Sequence, residues 1–340
     1  MNQTQKALLL AGAGIGSWLA WRGLRRWQRY YDLHGKVVLV TGASRGLGLV
    51  LARELIKEGA RLGICARDPD ELERARADLR RRGADVMAVP GDVTDKTQLE
   101  GVVHAVRAHY GRIDVLINNA GVIQVGPIEH MRLEDYEEAM RAHFWGPLYA
   151  TLTVLPEMRQ RREGRIVNIA SIGGLVSIPH LVPYDASKFA LVGLSEGLRA
   201  ELARENVFVT TICPGLMRTG SPRNALFKGQ HRAEYTWFSI GDALPLFTMS
   251  AERAAGQIIK ACKNGDAKLV LTLPAKAGAL FHALFPELTA DVLTLVNKIL
   301  PGPGGIGQER ARGKDSFSSW SPSLLTALNE RAAWRNNEMS

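Results

Sequence analysis

Tyr184 and Lys188 stand four residues apart in PYDASKFA, a segment that Pro183 opens as a helix, so the phenol and the amine project from one face. A tyrosine ordinarily holds its proton up to pH about 10, too tightly to trade it near neutrality. An ammonium about 4 Å from the phenolate attracts it by about 4 kcal/mol at an effective dielectric of about 20, enough to bring that exchange within reach of pH 7. Thirteen residues before the tyrosine, Ser171 closes the strand-like run RIVNIA. A hydroxyl there can donate to an oxygen on which negative charge develops. The plainer readings are a strand-end cap for Ser171 and a core tyrosine with a satisfied hydroxyl for Tyr184.

These residues need a framework, and the segment KVVLVTGASRGLGLVLARELIKEGA at 36–60 begins it. It runs from a β-branched strand through glycines into a helix-period stretch, the context of a phosphate-binding turn. Gly42 permits the tight turn, while Gly46 and Gly48 let backbone approach a pyrophosphate at the helix amino terminus. An earlier cluster, AGAGIGSWLAW at 11–21, has glycines but no preceding strand. Beyond the turn, the strand-like runs RLGICA, DVMAVP, RIDVLI, RIVNIA, VFVTTIC and KLVLTL alternate with helical segments such as PDELERARADLRRR. Alternation of this kind predicts an α/β fold, a doubly wound parallel sheet of Rossmann-like form, with ligands outside the carboxyl ends of its strands. One domain is expected over 34–273, with extensions at 1–33 and 274–340.

TGASRGLG at 41–48, Asp92 with Val93, NNAG at 118–121, Ser171 in NIAS, YDASK at 184–188 and PGLMRT at 214–219 occur in this order. Together they resemble the short-chain dehydrogenases/reductases, over residues 34–273. The resemblance implies hydride transfer between a nicotinamide and a carbonyl or alcohol carbon, with Tyr184 as general acid/base and Ser171 beside the substrate oxygen. Lys188 would also grip the nicotinamide ribose. Gly42, Ser44, Arg45, Gly46, Leu47 and Gly48 would hold the cofactor, Asp92 and Val93 its adenine side, Asn119 the strand-end contact and Thr219 the carboxamide. Where relatives often carry an asparagine that supports a proton relay, this chain has His143, which would either preserve the relay through its two nitrogens or serve as packing. Arg45 and Arg67 point to NADP(H), because a guanidinium matches a ribose 2′-phosphate that a carboxylate would repel. Surface arginines are the alternative.

The 340 residues carry a formal charge of +9, spread along the chain except for RGLRRWQR at 22–29 and RRR at 80–82. No recognition motif accompanies it, so no nucleic-acid partner is expected. Cys65, Cys213 and Cys262 lack metal spacing and read as reduced core thiols; no metal is expected. Residues 7–21 form an uncharged run followed by Arg22, Arg25, Arg26 and Arg29, which reads as a membrane anchor or interfacial helix with the catalytic domain on the cytoplasmic side. Leu175, Val176, Ile178, Leu181, Phe227, Trp237, Phe238 and Phe247 suggest an apolar substrate such as a fatty-acyl, steroid or retinoid compound, although a homo-oligomer face or ordinary core would use the same residues. An apolar helical stripe over 276–300, broken at Pro286, precedes a glycine-rich linker and a peripheral helix. The rival to an enzyme is a cofactor-sensing protein on the same fold that has lost turnover.

Overall fold

The alternating apolar runs form one parallel sheet. A computed structural model describes residues 16–17, 20–244, 248–323 and 326–339. Strands β1 (Val37–Thr41), β2 (Arg61–Ala66), β3 (Val86–Pro90), β4 (Val115–Asn118), β5 (Gly164–Ile169), β6 (Val207–Cys213) and β7 (Lys268–Val270) lie in the order β7-β6-β5-β4-β1-β2-β3, every pairing parallel. Parallel neighbours require crossovers, which place helices on both faces and bury the strands from both sides. Side chains that alternate along β1 divide accordingly. Val38 and Val40 pack with α1 (Gly46–Lys57), α2 (Pro69–Arg81) and α8 (Ala251–Asn264), while Val37 and Leu39 pack with α3 (Lys96–Tyr110) and α5 (Gly146–Arg161). The fold is the doubly wound α/β sheet that the alternation predicts.

Three further helices, α4 (Leu133–Met140), α6 (Val182–Leu202) and α7 (His231–Gly241), complete the layers, with α6 packed along β6. Between α4 and α5 the chain makes a π-helical turn over Arg141–Trp145, which carries His143 inward. Strand order reverses between β1 and β4, and the crevice that such a reversal opens is where α/β sheets bind ligands.

Beyond the sheet, Pro286 splits the apolar stripe into α9 (Leu273–Leu284) and α10 (Pro286–Ile299), because proline cannot donate the backbone bond that a continuous helix needs. Leu280, Leu284, Leu288, Leu295 and Ile299 remain exposed on this pair. The glycine-rich stretch that follows is tied to the core: Ile306 N–H donates to the Gly229 carbonyl at 2.9 Å, and Ala311–Arg312 pairs with Leu226–Phe227, itself paired with Gln124–Val125. Helix α11 (Ala327–Arg335) is the last helix of the described chain, and residues 336–339 follow it.

The membrane anchor is corrected by the structure, and membrane association, a membrane partner and a domain held at the cytoplasmic face of a bilayer go with it. Among the described residues no helix is long and apolar enough to cross a membrane. Within the basic flank of the apolar run, Arg26 and Arg29 turn to the protein, while Arg22 and Arg25 are exposed. Residues 20–29 are helical, Arg26 grips Asp266 through two bonds of 2.8 and 2.6 Å, and the Arg29 guanidinium lies 5.2 Å from the Phe208 ring. The buried Arg165 donates to the Arg29 carbonyl at 2.6 Å. Residues 7–15, Trp18 and Leu19 lie outside the described residues.

Candidate active site

The glycine turn follows β1. Gly42 takes φ +65, and a Cβ there would lie 2.7 Å from Ala120 Cα, so the loops after β1 and β4 touch at the point of reversal. At Gly48 a Cβ would meet the Gly42 carbonyl oxygen at 2.1 Å. Only bare backbone allows α1 to start this close to the strand. Asn119 secures the arrangement: its Nδ2 donates to the carbonyls of Thr41 and Gly42 at 3.1 and 3.0 Å, while Thr41 Oγ1 accepts from Asn119 N–H at 3.0 Å. Asn119 therefore holds the turn in shape.

The two arginines differ. Arg45 pairs with Glu71 at 2.7 Å, and Ser44 Oγ donates to the same carboxylate at 3.2 Å. Arg67, 58 % exposed, reaches no closer than 3.9 Å to Asp92. Asp92 spends one oxygen on Thr94, accepting from its N–H and hydroxyl at 2.9 and 2.8 Å, and Val93 beside it is buried. Thr219 Oγ1 lies 2.6 Å from Ser221 Oγ. These residues rim the carboxyl ends of β1 to β4 and the loop after β6.

Ser171, Tyr184, Lys188 and His143 converge. Ser171 sits two residues past β5, and its hydroxyl accepts from Gly173 N–H at 3.0 Å. Lys188 Nζ donates to the Ile169 carbonyl at 2.9 Å and lies 5.5 Å from the Tyr184 ring centre. His143 stands edge-on to that ring at 5.3 Å. Its Nε2 accepts from the Val122 N–H at 3.1 Å, which leaves the ring proton on Nδ1 for Ser187 Oγ at 2.7 Å; Ser187 in turn donates to the Tyr184 carbonyl at 2.6 Å. Both imidazole nitrogens are thus engaged.

The electrostatics depart from the expectation drawn from spacing alone. Burial pushes the Tyr184 phenol well above its ordinary value, with the Ser171 hydroxyl opposing, and pushes the Lys188 amine down to about 7. Desolvation disfavours the charged form of each partner and outweighs their attraction. Burial and the neighbouring Lys188 hold His143 well below the usual histidine range, so it is neutral.

The substrate side is organised by residues that sequence reasoning did not single out. Asp185 is buried and accepts from Ile178 N–H at 2.6 Å and Ser177 Oγ at 3.0 Å, bracing the loop 172–183, although burial pushes its carboxyl up to about 7. A Cβ on Gly173 would lie 2.2 Å from Asp185 Oδ1. The paired glycines of IGG are the one sequence signal of that approach. His180 and Glu234, both buried, meet at 2.8 Å and tie the loop to α7, and Trp237 Nε1 donates to Glu234 at 2.6 Å. Leu181, Phe227 and Phe238 are buried in one cluster against Tyr184, Ile178 and Trp237, so they wall the site; Phe247 lies outside the described residues. Trp237 also lines an apolar cleft of about 730 Å³ between α7, Leu300 and Trp320.

A family model for short chain dehydrogenases matches residues 36–226. A "Dehydrogenase/reductase SDR family protein 7-like" of Anopheles gambiae is 37% identical over 246 residues, spanning 70% of this chain and 75% of the relative. Among solved structures, a variant of actinorhodin polyketide ketoreductase with NADPH is similar at 32% identity and TM-score 0.63, over 70% of this chain and 95% of the other. A short-chain dehydrogenase/reductase from Burkholderia phymatum in complex with NAD is similar at 26% identity and TM-score 0.70, over 76% and 96%. The chain belongs to the short-chain dehydrogenase family. It is an NAD(P)H-dependent oxidoreductase acting on CH–OH and C=O groups.

Proposed function

We propose that the protein is an NADP(H)-dependent reductase of apolar ketones, of the 3-ketoacyl, steroid or retinoid class, with Tyr184 as the proton donor. The observation that carries this reading is the convergence of Ser171, half-buried Tyr184 and Lys188 at the crevice, beside the apolar cluster of Leu181, Phe227 and Phe238. The glycine turn fits a dinucleotide, because Gly48 has no room for a side chain and Gly42 and Gly46 take φ of +65 and +56, so backbone alone shapes the turn into α1. Gly42, Ser44, Gly46, Leu47 and Gly48 would hold its phosphates, Asp92, Val93 and Asn119 its flanks, and Thr219 with Lys188 the nicotinamide end. When bound, the cofactor supplies the hydride. Ser171 then polarises the carbonyl oxygen and Tyr184 delivers the proton; Lys188, when charged, stabilises the phenolate that remains.

Arg67, the freer of the two arginines, supports the phosphorylated cofactor, and Arg45 adds to it once released from Glu71. The test follows cofactor oxidation against a panel of apolar ketones and 3-ketoacyl thioesters. Higher kcat/KM with NADPH than with NADH is expected. Arg67→Asp should cut the NADPH value by about 10- to 100-fold, the worth of one charged hydrogen bond, while sparing NADH. A parent enzyme that prefers NADH would overturn the assignment.

His143 is proposed as a positioning residue, since its two engaged nitrogens and neutral ring support holding the backbone of Tyr184 through Ser187. His143→Asn, which restores a donor and an acceptor, should keep the parental pH profile between pH 5 and 9, whereas His143→Leu should lower kcat with little change in KM. A profile that loses a titrating limb in the asparagine variant would mark His143 as a proton carrier instead.

A further inference from the structure

The segment after α11 lies across the glycine turn. Gly46 N–H, the first of α1, donates to the Asn336 carbonyl at 2.9 Å. Asn337 Nδ2 donates to the carbonyls of Ser44 at 2.8 Å and Glu71 at 3.2 Å, and its Oδ1 accepts from Arg74 at 3.2 Å. Arg53, on α1, donates to Asn336 Oδ1 at 3.0 Å and to the Arg335 carbonyl at 2.9 Å. Glu338 follows, buried, with its carboxylate accepting from Gly220 N–H.

This carboxylate bridges two loops. A Cβ on Gly46 would lie 3.0 Å from Glu338 Oε1, and one on Gly220 would lie 2.7 Å from Glu338 Oε2. Gly46 belongs to the turn after β1, and Gly220 follows Thr219 in the loop after β6. An anion at the start of a helix satisfies bare N–H groups, as a phosphate would. The backbone carbonyl of Asn336 takes one of those N–H groups outright. A dinucleotide and residues 336–338 therefore compete for the same backbone.

We infer that residues 336–338 form an intramolecular strap that occupies the phosphate turn, so the dinucleotide binds only molecules in which the strap has lifted. The inference rests on the reading of residues 42–48 as the cofactor seat. A ligand that binds only the open fraction shows an affinity reduced by that fraction. The strap is built to be displaced rather than locked: burial pushes the Glu338 carboxyl up to about 7, and burial together with Glu338 pushes Asp242 up to about 8, so seating the carboxylate carries a cost. Its remaining holds are neutral hydrogen bonds and bonds to Arg53 and Arg74, all of which water can replace.

The experiment uses the full chain and two full-length variants, Glu338→Ala and Asn337→Ala, titrated with NADPH by its fluorescence. In parallel, trypsin cleavage after Arg335 is followed with and without saturating NADPH. If the strap is seated in about nine molecules of ten, each variant binds NADPH up to about tenfold more tightly than the parent, and NADPH accelerates the cut at Arg335. Equal dissociation constants in all three proteins, with Arg335 no more accessible when NADPH is bound, would overturn the strap while leaving the cofactor seat intact. Failure of parent and variants alike to bind NADPH or NADH would overturn both the seat and the strap.

Discussion

Replacing Tyr184 by phenylalanine should lower kcat by about 10²- to 10⁴-fold, the range that a positioned general acid contributes, with little change in the dissociation constant for NADPH. The substitution removes one oxygen, and that oxygen is that of the phenol whose ionisation Ser171 favours against burial. Burial keeps the proton on the phenol at neutral pH, which suits a donor to a carbonyl oxygen and so favours the reductive direction. The phenolate left after donation needs a charge beside it. Burial brings the Lys188 amine down to about 7, so that charge is present below pH 7 and lost as pH rises through it. The reductive rate should therefore fall on the alkaline side of about pH 7, and Lys188→Arg, whose guanidinium stays charged, should move that fall to higher pH even if the overall rate suffers. Steady-state rates across pH 5 to 9 measure both effects. Turnover in Tyr184→Phe equal to that of the parent would remove the proton donor from the mechanism.

What the sequence made legible were features with a local signature. Alternation of β-branched runs with helical periods led to the parallel sheet, and Gly42, Gly46 and Gly48 marked the turn because close backbone approach leaves no other residue type. The four-residue spacing of Tyr184 and Lys188 brought them together, since helical geometry is a property of the segment itself. Their ionisation was not legible. Depth depends on what the rest of the chain stacks above a side chain, and here desolvation reverses the direction that proximity alone suggests for both groups. The membrane anchor failed for a related reason. An apolar run with a basic flank states a need for burial and counter-charge, but not that Asp266 and Phe208, far along the chain, meet Arg26 and Arg29. The seating of Asn336, Asn337 and Glu338 on the phosphate turn had no pattern to reveal it, because three polar residues near a helix end are ordinary surface composition until the tertiary fold brings them to Gly46 and Gly220.

The same holds for the ion pair whose loss should cost the fold most. Lys228 and Asp135 are both buried and joined, Asp135 also accepts from Arg310 at 2.6 Å and from the Arg132 N–H at 2.7 Å, and Arg310 reaches Glu138 at 2.7 Å. The cluster clamps α4, the strand Leu226–Phe227 and the extension at Arg310 around one flank of the site. Lys228→Met should destabilise the protein by about 3–5 kcal/mol at pH 7, because it strands a buried carboxylate whose environment was built around an ammonium. Burial alone would raise the Asp135 carboxyl, but the Arg132 N–H, Lys228 and Arg310 outweigh it and hold it below the ordinary carboxylate range. A depressed folded value means that this contribution is complete above pH about 4 and is lost as pH falls through the folded value. The gap between parent and Lys228→Met should accordingly be widest at neutral pH and narrow in acid, where the stranded carboxylate can take a proton. Urea unfolding at pH 7 and pH 4 measures it, and the double variant Lys228→Met with Asp135→Leu should lose less than the two singles added together. A single variant with the parental unfolding midpoint at pH 7 would show that Arg310 alone satisfies Asp135, and that the lysine contributes packing rather than charge.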